Sequence, residues 1–346
     1  MTRSMRVAAT AGAGAFTLEQ RDLPEPAPGF ARVRVLACGI CGTDLHFVGA
    51  GFWPKGHVGG HEMFGEVDAL GDGVTRVAVG DRVAVEPLLA CGSCPACRAG
   101  RGNICPRVRL LGIHVPGGFA EAICAPAERL FPVAAEVAPA IAALAEPLAV
   151  AVHGVRRGGI AKDQRVLVLG AGTIGLLSVL ASRVAGAGDI WLAARHPHQA
   201  ELGRALGAHR VLTEDETAPA SLAALGADAP IDLVVETVGG SADTLRTAAA
   251  AIRPGGAISV VGVFLGDVAV PAMPLLLKEG SIHWSNCYDR AAGRDDFAEA
   301  IALLAAERGK LAALTTRSVP LSEISRGFAL AADKRAGAVK VTVLPS

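Results

Sequence analysis

The chain has 346 residues, a length that suggests about two domains and a core large enough to need no disulfide staples. Its 33 basic and 33 acidic side chains cancel, which removes any global electrostatic case for a nucleic acid, an anionic membrane surface or an acidic polymer as partner. The longest uncharged run, Val166–Ser182, is flanked by Arg165 and Arg183 and stops short of the ~20 apolar residues that cross a bilayer. The segment Met1–Arg6 lacks the apolar core of a secretory signal. Cytoplasmic localisation and no membrane partner are therefore expected.

Residues 6 to about 155 read as short β segments broken by Gly and Pro. Ala31–Leu36 and Asp81–Val85 alternate like half-buried strands. From Gln164 to about Cys287 the rhythm changes to apolar runs alternating with helical stretches. Arg165–Leu169, Ile190–Ala193, Leu233–Val235 and Ile258–Val261 are the predicted buried strands, and such alternation means a parallel sheet covered on both faces. An amphipathic helix over Asp295–Arg308, a short second helix and a last strand at Val339–Val343 follow. The expected fold class is α/β. A mostly-β domain spans 1–155 and is completed by 290–346, and a doubly wound domain spans 156–289.

Gly170-Ala171-Gly172-Thr173-Ile174-Gly175 follows the first predicted strand of the α/β domain and opens a helical stretch over 175–185. That context makes it a dinucleotide turn. The first glycine permits the bend, the second lets backbone approach a pyrophosphate, and the third lets helix and strand pack closely. The helix N-terminus then faces the anion. At the end of the second strand, where NAD-binding domains place an acid for the ribose, stand Ala194, Arg195 and His196. A small residue beside a guanidinium accommodates a 2′-phosphate, so NADP(H) is expected over NAD(H). Thr237 and Val261-Gly262-Val263 end later strands and are candidates to bind the nicotinamide carboxamide through their backbone.

Four of the eight cysteines, Cys91, Cys94, Cys97 and Cys105, fall in one loop. Four thiolates with no open position make a structural zinc site. A second, dispersed group holds Cys41, Thr43, Asp44, His46, His61, Glu62 and Glu146. One Cys, one His and one or two carboxylates would form a mixed zinc site whose fourth position takes water or substrate.

These motifs resemble the medium-chain dehydrogenase/reductase superfamily, in its zinc-dependent alcohol dehydrogenase branch. The carriers are Cys-Gly-Ile-Cys-Gly-Thr-Asp-Leu-His at 38–46, Gly-His-Glu at 60–62, Gly-Asp-Arg-Val at 80–83, the four-cysteine loop, Glu-Pro-Leu at 146–148 and the Gly170–Gly175 turn. Glu-Pro-Leu is similar to the polyol and threonine dehydrogenases. The resemblance implies a GroES-like catalytic domain joined to a Rossmann domain, with the active site in the cleft between them and two zinc ions per chain. It implies Cys41 and His61 as catalytic zinc ligands. Glu62 would bind the ion or stand just behind it, and Glu146 would be a further ligand, direct or through water. Asp44 would orient the histidine, and Thr43 and His46 would carry the alcohol proton outward. Lys340 would reach the cofactor pyrophosphate. A homodimer or homotetramer is implied as well.

The resulting expectation is hydride transfer between NADP(H) and a secondary alcohol, a polyol-like substrate or its ketone. A reductase of C=C or C=N bonds on the same scaffold, and a non-catalytic NADPH-binding protein, are the alternatives. Phe47, Phe52, Trp53, His114, Trp284 and Tyr288 are the aromatic candidates for a pocket.

Overall fold

The protein is described from a computed structural model that covers residues 3–12 and 14–345. The chain divides into two compact units, one running to Glu146 and resuming at Asp289, the other spanning Pro147–Tyr288. The first boundary therefore falls earlier than residue 155. The cause lies in the helix Ala145–Arg157: the Gly154 carbonyl accepts a buried hydrogen bond from Ser259 Oγ at 2.6 Å, which makes the body of that helix part of the second unit.

The first unit is built on a seven-stranded sheet. Its central strand, Phe30–Gly39, buries Ala31, Val33, Val35 and Ala37 at alternate positions, the period expected of a strand with one face on the core. It pairs antiparallel with Glu62–Leu70, with Ala122–Pro126 and, at its far end, with Lys340–Leu344. Thr342 faces Gly39 and Val343 faces Cys38 in that last pairing. Thr315–Pro320 lies outside it, parallel, and Arg82–Val85 and Leu130–Pro132 complete the other side. The strand predicted at 339–343 is thus a member of the first sheet. The helix expected over 295–308 is shorter, Asp296–Ala306, because Asp295 Oδ1 caps it by accepting from the N–H groups of Phe297 and Ala298.

The second unit is a six-stranded parallel sheet. Its spatial order is Arg210–Leu212, Asp189–Ala193, Arg165–Leu169, Ile231–Glu236, Ile252–Val260, Ser281–Trp284. This is the doubly wound order whose switch point lies between Arg165–Leu169 and Ile231–Glu236. Val166, Leu167 and Val168 are consecutive and all fully buried, as strands covered on both faces require. The last strand, Ser281–Trp284, has no apolar run to betray it in sequence.

Candidate active site and metal centres

The helix Gly42–Gly49 carries Thr43, Asp44 and His46. Thr43 and His46 are three residues apart and share a face, the hydroxyl half-buried and the imidazole exposed. Asp44 points inward and is fully buried. Its Oδ2 accepts from the Cys41 N–H at 2.9 Å, and its Oδ1 stands 3.2 Å from Nδ1 of His61. One carboxylate therefore fixes both the loop that presents the Cys41 thiol and the imidazole that faces it, leaving His61 Nε2 for a cation. This is the support that metal-binding histidines ordinarily receive.

His61 and Glu62 open the strand Glu62–Leu70, beside the end of Phe30–Gly39. Gly39 faces Glu62 across the ladder, and a Cβ at Gly39 would collide with the Glu62 carboxylate. Only glycine leaves room there. Ligand atoms of Cys41, His61 and Glu62 lie within 4.8 Å of one another. Glu146, in the first turn of the helix Ala145–Arg157, is buried but outside that close group. Burial pushes its carboxyl up to about 7, helped by the negative Glu62 and opposed by His61. Burial alone would lower His61, yet Asp44 and Cys41 hold its imidazole well above the ordinary range. Groups that cling to protons in this way form a pocket with excess negative charge, and a divalent ion suits it. A soft thiolate, an imidazole and a carboxylate are a zinc donor set.

Lys340 occupies a place that its sequence position does not reveal. Its ammonium is buried, 2.7 and 2.6 Å from the two oxygens of Glu62 and 3.0 Å from the Ile40 carbonyl. The group expected at the pyrophosphate is thus engaged with Glu62. Among the aromatic candidates, Phe47 makes edge contacts with Phe52 and Trp53. His114 turns back to accept from the Leu110 N–H at 3.0 Å.

The thiols of Cys91, Cys94, Cys97 and Cys105 all lie within 4.8 Å of one another. Sγ to Sγ separations are 3.5 Å for Cys94 and Cys97 and 3.9 Å for Cys91 and Cys97. Four thiolates about 2.3 Å from a tetrahedral zinc would be ~3.8 Å apart, so the cluster fits that ion. Backbone N–H groups of Ser93 and Cys94 bring Cys91 down to about 5, whereas loss of water and the neighbouring Cys94 push Cys97 up to about 11.

In the second unit, the helix Thr173–Val184 starts directly after the turn and has no side-chain cap at Gly172. Its first N–H groups are thereby left for an anion. A Cβ at Gly175 would strike the Gly170 carbonyl, and one at Gly170 would lie 2.9 Å from Thr237 Oγ1, while Gly172 faces open space. Gly170 and Gly175 are thus packed against protein and Gly172 is left open to a ligand, as a pyrophosphate cradle requires. Thr237 Oγ1 donates to the Leu169 carbonyl at 2.8 Å, tying the turn to the fourth strand. Val261 and Gly262 donate to the Glu236 carbonyl at 2.9 and 3.0 Å. Ala194 follows the strand Asp189–Ala193, and Arg195 is exposed with Glu214 3.8 Å away. That carboxylate comes from the loop after Arg210–Leu212, and nothing in the local sequence places it beside Arg195. His196 caps the helix Pro197–Leu206 through its backbone and stacks on His198, ring centroids 5.6 Å apart.

Among the described residues no helix is long and apolar enough to cross a membrane. Residues 27–135 match the alcohol dehydrogenase GroES-like domain family, and residues 173–306 match the zinc-binding dehydrogenase family. L-galactonate-5-dehydrogenase of Escherichia coli (strain K12) is 33% identical over 315 residues, 90% of each chain. A zinc-binding dehydrogenase of Sinorhizobium meliloti 1021, solved bound to NADP, is 31% identical with a TM-score of 0.88 over 99% of this chain and 100% of its own. An alcohol dehydrogenase of Escherichia coli CFT073, solved with NADH, is 27% identical with a TM-score of 0.89 over 99% of both chains.

Proposed function

This chain belongs to the zinc-dependent alcohol dehydrogenase branch of the medium-chain dehydrogenase/reductase superfamily, and from that premise we propose that it transfers hydride between NADP(H) and a secondary alcohol, a polyol-like substrate or its ketone. The observation that carries the reading is Asp44, one buried carboxylate that holds the Cys41 loop and the His61 imidazole together beneath Thr43.

Cys41, His61 and Glu62 would hold the catalytic zinc, with Glu146 completing the acidic wall. When bound, the ion supplies a Lewis acid that acidifies a hydroxyl or polarises a carbonyl, and the nicotinamide supplies the hydride carrier. The residues of this chain do the rest. Thr43 would accept a hydrogen bond from the substrate hydroxyl and, as it takes that proton, give up its own toward His46, which is exposed on the same helix face and releases it to solvent. Asp44 keeps His61 Nδ1–H pointed away from the ion position. Gly170, Gly172, Thr173, Ile174 and Gly175 orient the cofactor through backbone N–H groups. Arg195, with His196 beside it, receives the 2′-phosphate that distinguishes NADP(H).

A second zinc on Cys91, Cys94, Cys97 and Cys105 stabilises its loop without taking part in turnover. Four free thiols as ligands need reducing surroundings, which favours the cytoplasm. The outer edge of Ser281–Trp284 pairs with no other strand among the described residues. Trp284 and the preceding Met273, Leu276 and Leu277 are exposed, so this edge is the proposed seat of a homodimer, alone or within a homotetramer.

The direct test is a panel of secondary alcohols, polyols and ketones assayed with NADP(H) before and after selective removal of the catalytic metal. Activity that requires the metal supports the proposal. Alcohol oxidation that survives without it would falsify the mechanism.

A further inference from the structure

Glu236 ends the strand Ile231–Glu236 with no surface exposed. Its Oε1 accepts three hydrogen bonds, from the Val238 N–H at 2.8 Å, the Gly239 N–H at 2.9 Å and Thr244 Oγ1 at 2.9 Å. Its backbone carbonyl accepts two more, from Val261 and Gly262. The loop it begins is joined to the next one again where Gly240 N–H donates to the Val263 carbonyl at 2.8 Å. Its Oε2 is buried with no hydrogen-bond partner and faces Gly262, where a Cβ would lie 2.5 Å away. The side chain therefore clamps the loop 237–240 directly and acts on the loop 261–263 through the Gly240–Val263 bond, while the backbone carbonyl, which any residue at 236 would supply, holds 261 and 262. Burying a carboxylate is unfavourable unless its hydrogen bonds outweigh lost hydration. A purely apolar residue would pack this strand end at lower cost but could not span two consecutive N–H groups and a hydroxyl.

We propose that Glu236 is the positioning residue of the nicotinamide half-site: by clamping these loops it sets the backbone groups of 261–263 against the ring and its amide, without touching the cofactor itself. The proposal rests on the cofactor reading above and goes beyond it, since it separates the residue that places the loops from the groups that meet the ligand. The pyrophosphate turn touches the first clamped loop through Thr237, whereas the Arg195 region lies at another strand end, so a ligand confined to the adenine half reports a site apart from this clamp.

The test compares two ligands by calorimetry on the full chain, NADP+ and its adenine half 2′,5′-ADP, alongside thermal unfolding. Glu236→Ala is expected to weaken NADP+ by roughly tenfold or more, with 2′,5′-ADP within about twofold of the wild type. Glu236→Gln, which keeps an acceptor at the Oε1 place, is expected to restore most of the NADP+ affinity. Thr244→Val provides a second variant should the first fail to fold. It removes one of the three donors to Oε1 without altering 261–263, and should reproduce the selective loss in weaker form. Equal weakening of both ligands, or no weakening of NADP+ in any folded variant, overturns the proposal. Wild-type protein that binds neither ligand overturns the cofactor reading itself.

Discussion

The ammonium of Lys340 and the carboxylate of Glu62 form a buried pair, with both oxygens within 2.7 Å of Nζ and neither side chain more than 4% exposed. The pair stands where a metal would also claim Glu62. Lys340→Met strands a buried charge and should cost ~3–5 kcal/mol in the metal-free protein. Zinc should recover part of that loss by taking over the freed carboxylate, and Glu62→Gln in the same chain should recover part without zinc. Urea unfolding of the two variants, with and without zinc, gives the answer. Equal stability of Lys340→Met and wild type would contradict the assignment.

Asp44→Asn keeps the size of the side chain and removes its charge. Zinc affinity at the Cys41 and His61 site should fall roughly 10–100-fold, while the four-cysteine site holds its ion. Chelator competition followed by metal analysis separates the two sites. Loss of both ions together would point to general unfolding instead.

Glu146 provides a pH signature. Its folded-state value of about 7 lies above its ordinary 4.5, with burial the main cause. The protonated form is therefore favoured by folding. The stabilisation is full below pH 4.5 and is lost as pH rises through about 7, a change of about 3 kcal/mol. Metal-free wild type should lose stability over this window relative to Glu146→Gln, and zinc affinity should climb across the same range as the proton leaves. A flat difference between the two proteins from pH 4.5 to 7.5 would count against this.

Thiol reactivity divides the cysteines once zinc has been removed. Thiolate is the reactive form, so Cys91, brought down to about 5 by the Ser93 and Cys94 N–H groups, should be alkylated rapidly by iodoacetamide at pH 7. Cys124 should lag far behind, because burial pushes its thiol up to about 11. Peptide mass spectrometry over a time course reads both. Zinc should protect Cys91 and leave Cys124 unchanged.

Arg195 and Glu214 should act in opposite senses on cofactor choice. Arg195→Ala is expected to weaken 2′,5′-ADP by about tenfold and to leave 5′-AMP nearly unchanged. Glu214→Gln removes the carboxylate that competes for the guanidinium 3.8 Å away and should strengthen 2′,5′-ADP severalfold. A clear NAD(H) preference unaltered in Arg195→Ala would end the NADP(H) reading.

What could be read in the sequence was local. The Gly170–Gly175 turn, the four-cysteine loop and the apolar strand Arg165–Leu169 are each contiguous, so spacing alone reports their chemistry. Contacts between distant segments left no such trace. Glu62 and Lys340 are separated by 278 residues, and nothing around Lys340 distinguishes it from a surface lysine in a last strand. Glu214 arrives beside Arg195 because parallel strands bring successive loops to one end of the sheet. Glu236 looked like an ordinary strand terminus until its three donors were in place. The edge strand Ser281–Trp284 was hidden for another reason: Ser281, His283 and a half-exposed face break the apolar run that marks buried strands.

The register of Lys340–Leu344 on Phe30–Gly39 also orders events during synthesis. Every residue of the second unit leaves the ribosome between Glu62 and the lysine that neutralises it. The second unit, contiguous in sequence, can complete its sheet first, while the first waits with a charged carboxylate lacking its counter-ion. Until that strand docks, the Cys41, His61 and Glu62 corner remains unfinished. Zinc taken up early would then do for the nascent chain what Lys340 does for the finished one, and metal supply could set the pace of maturation.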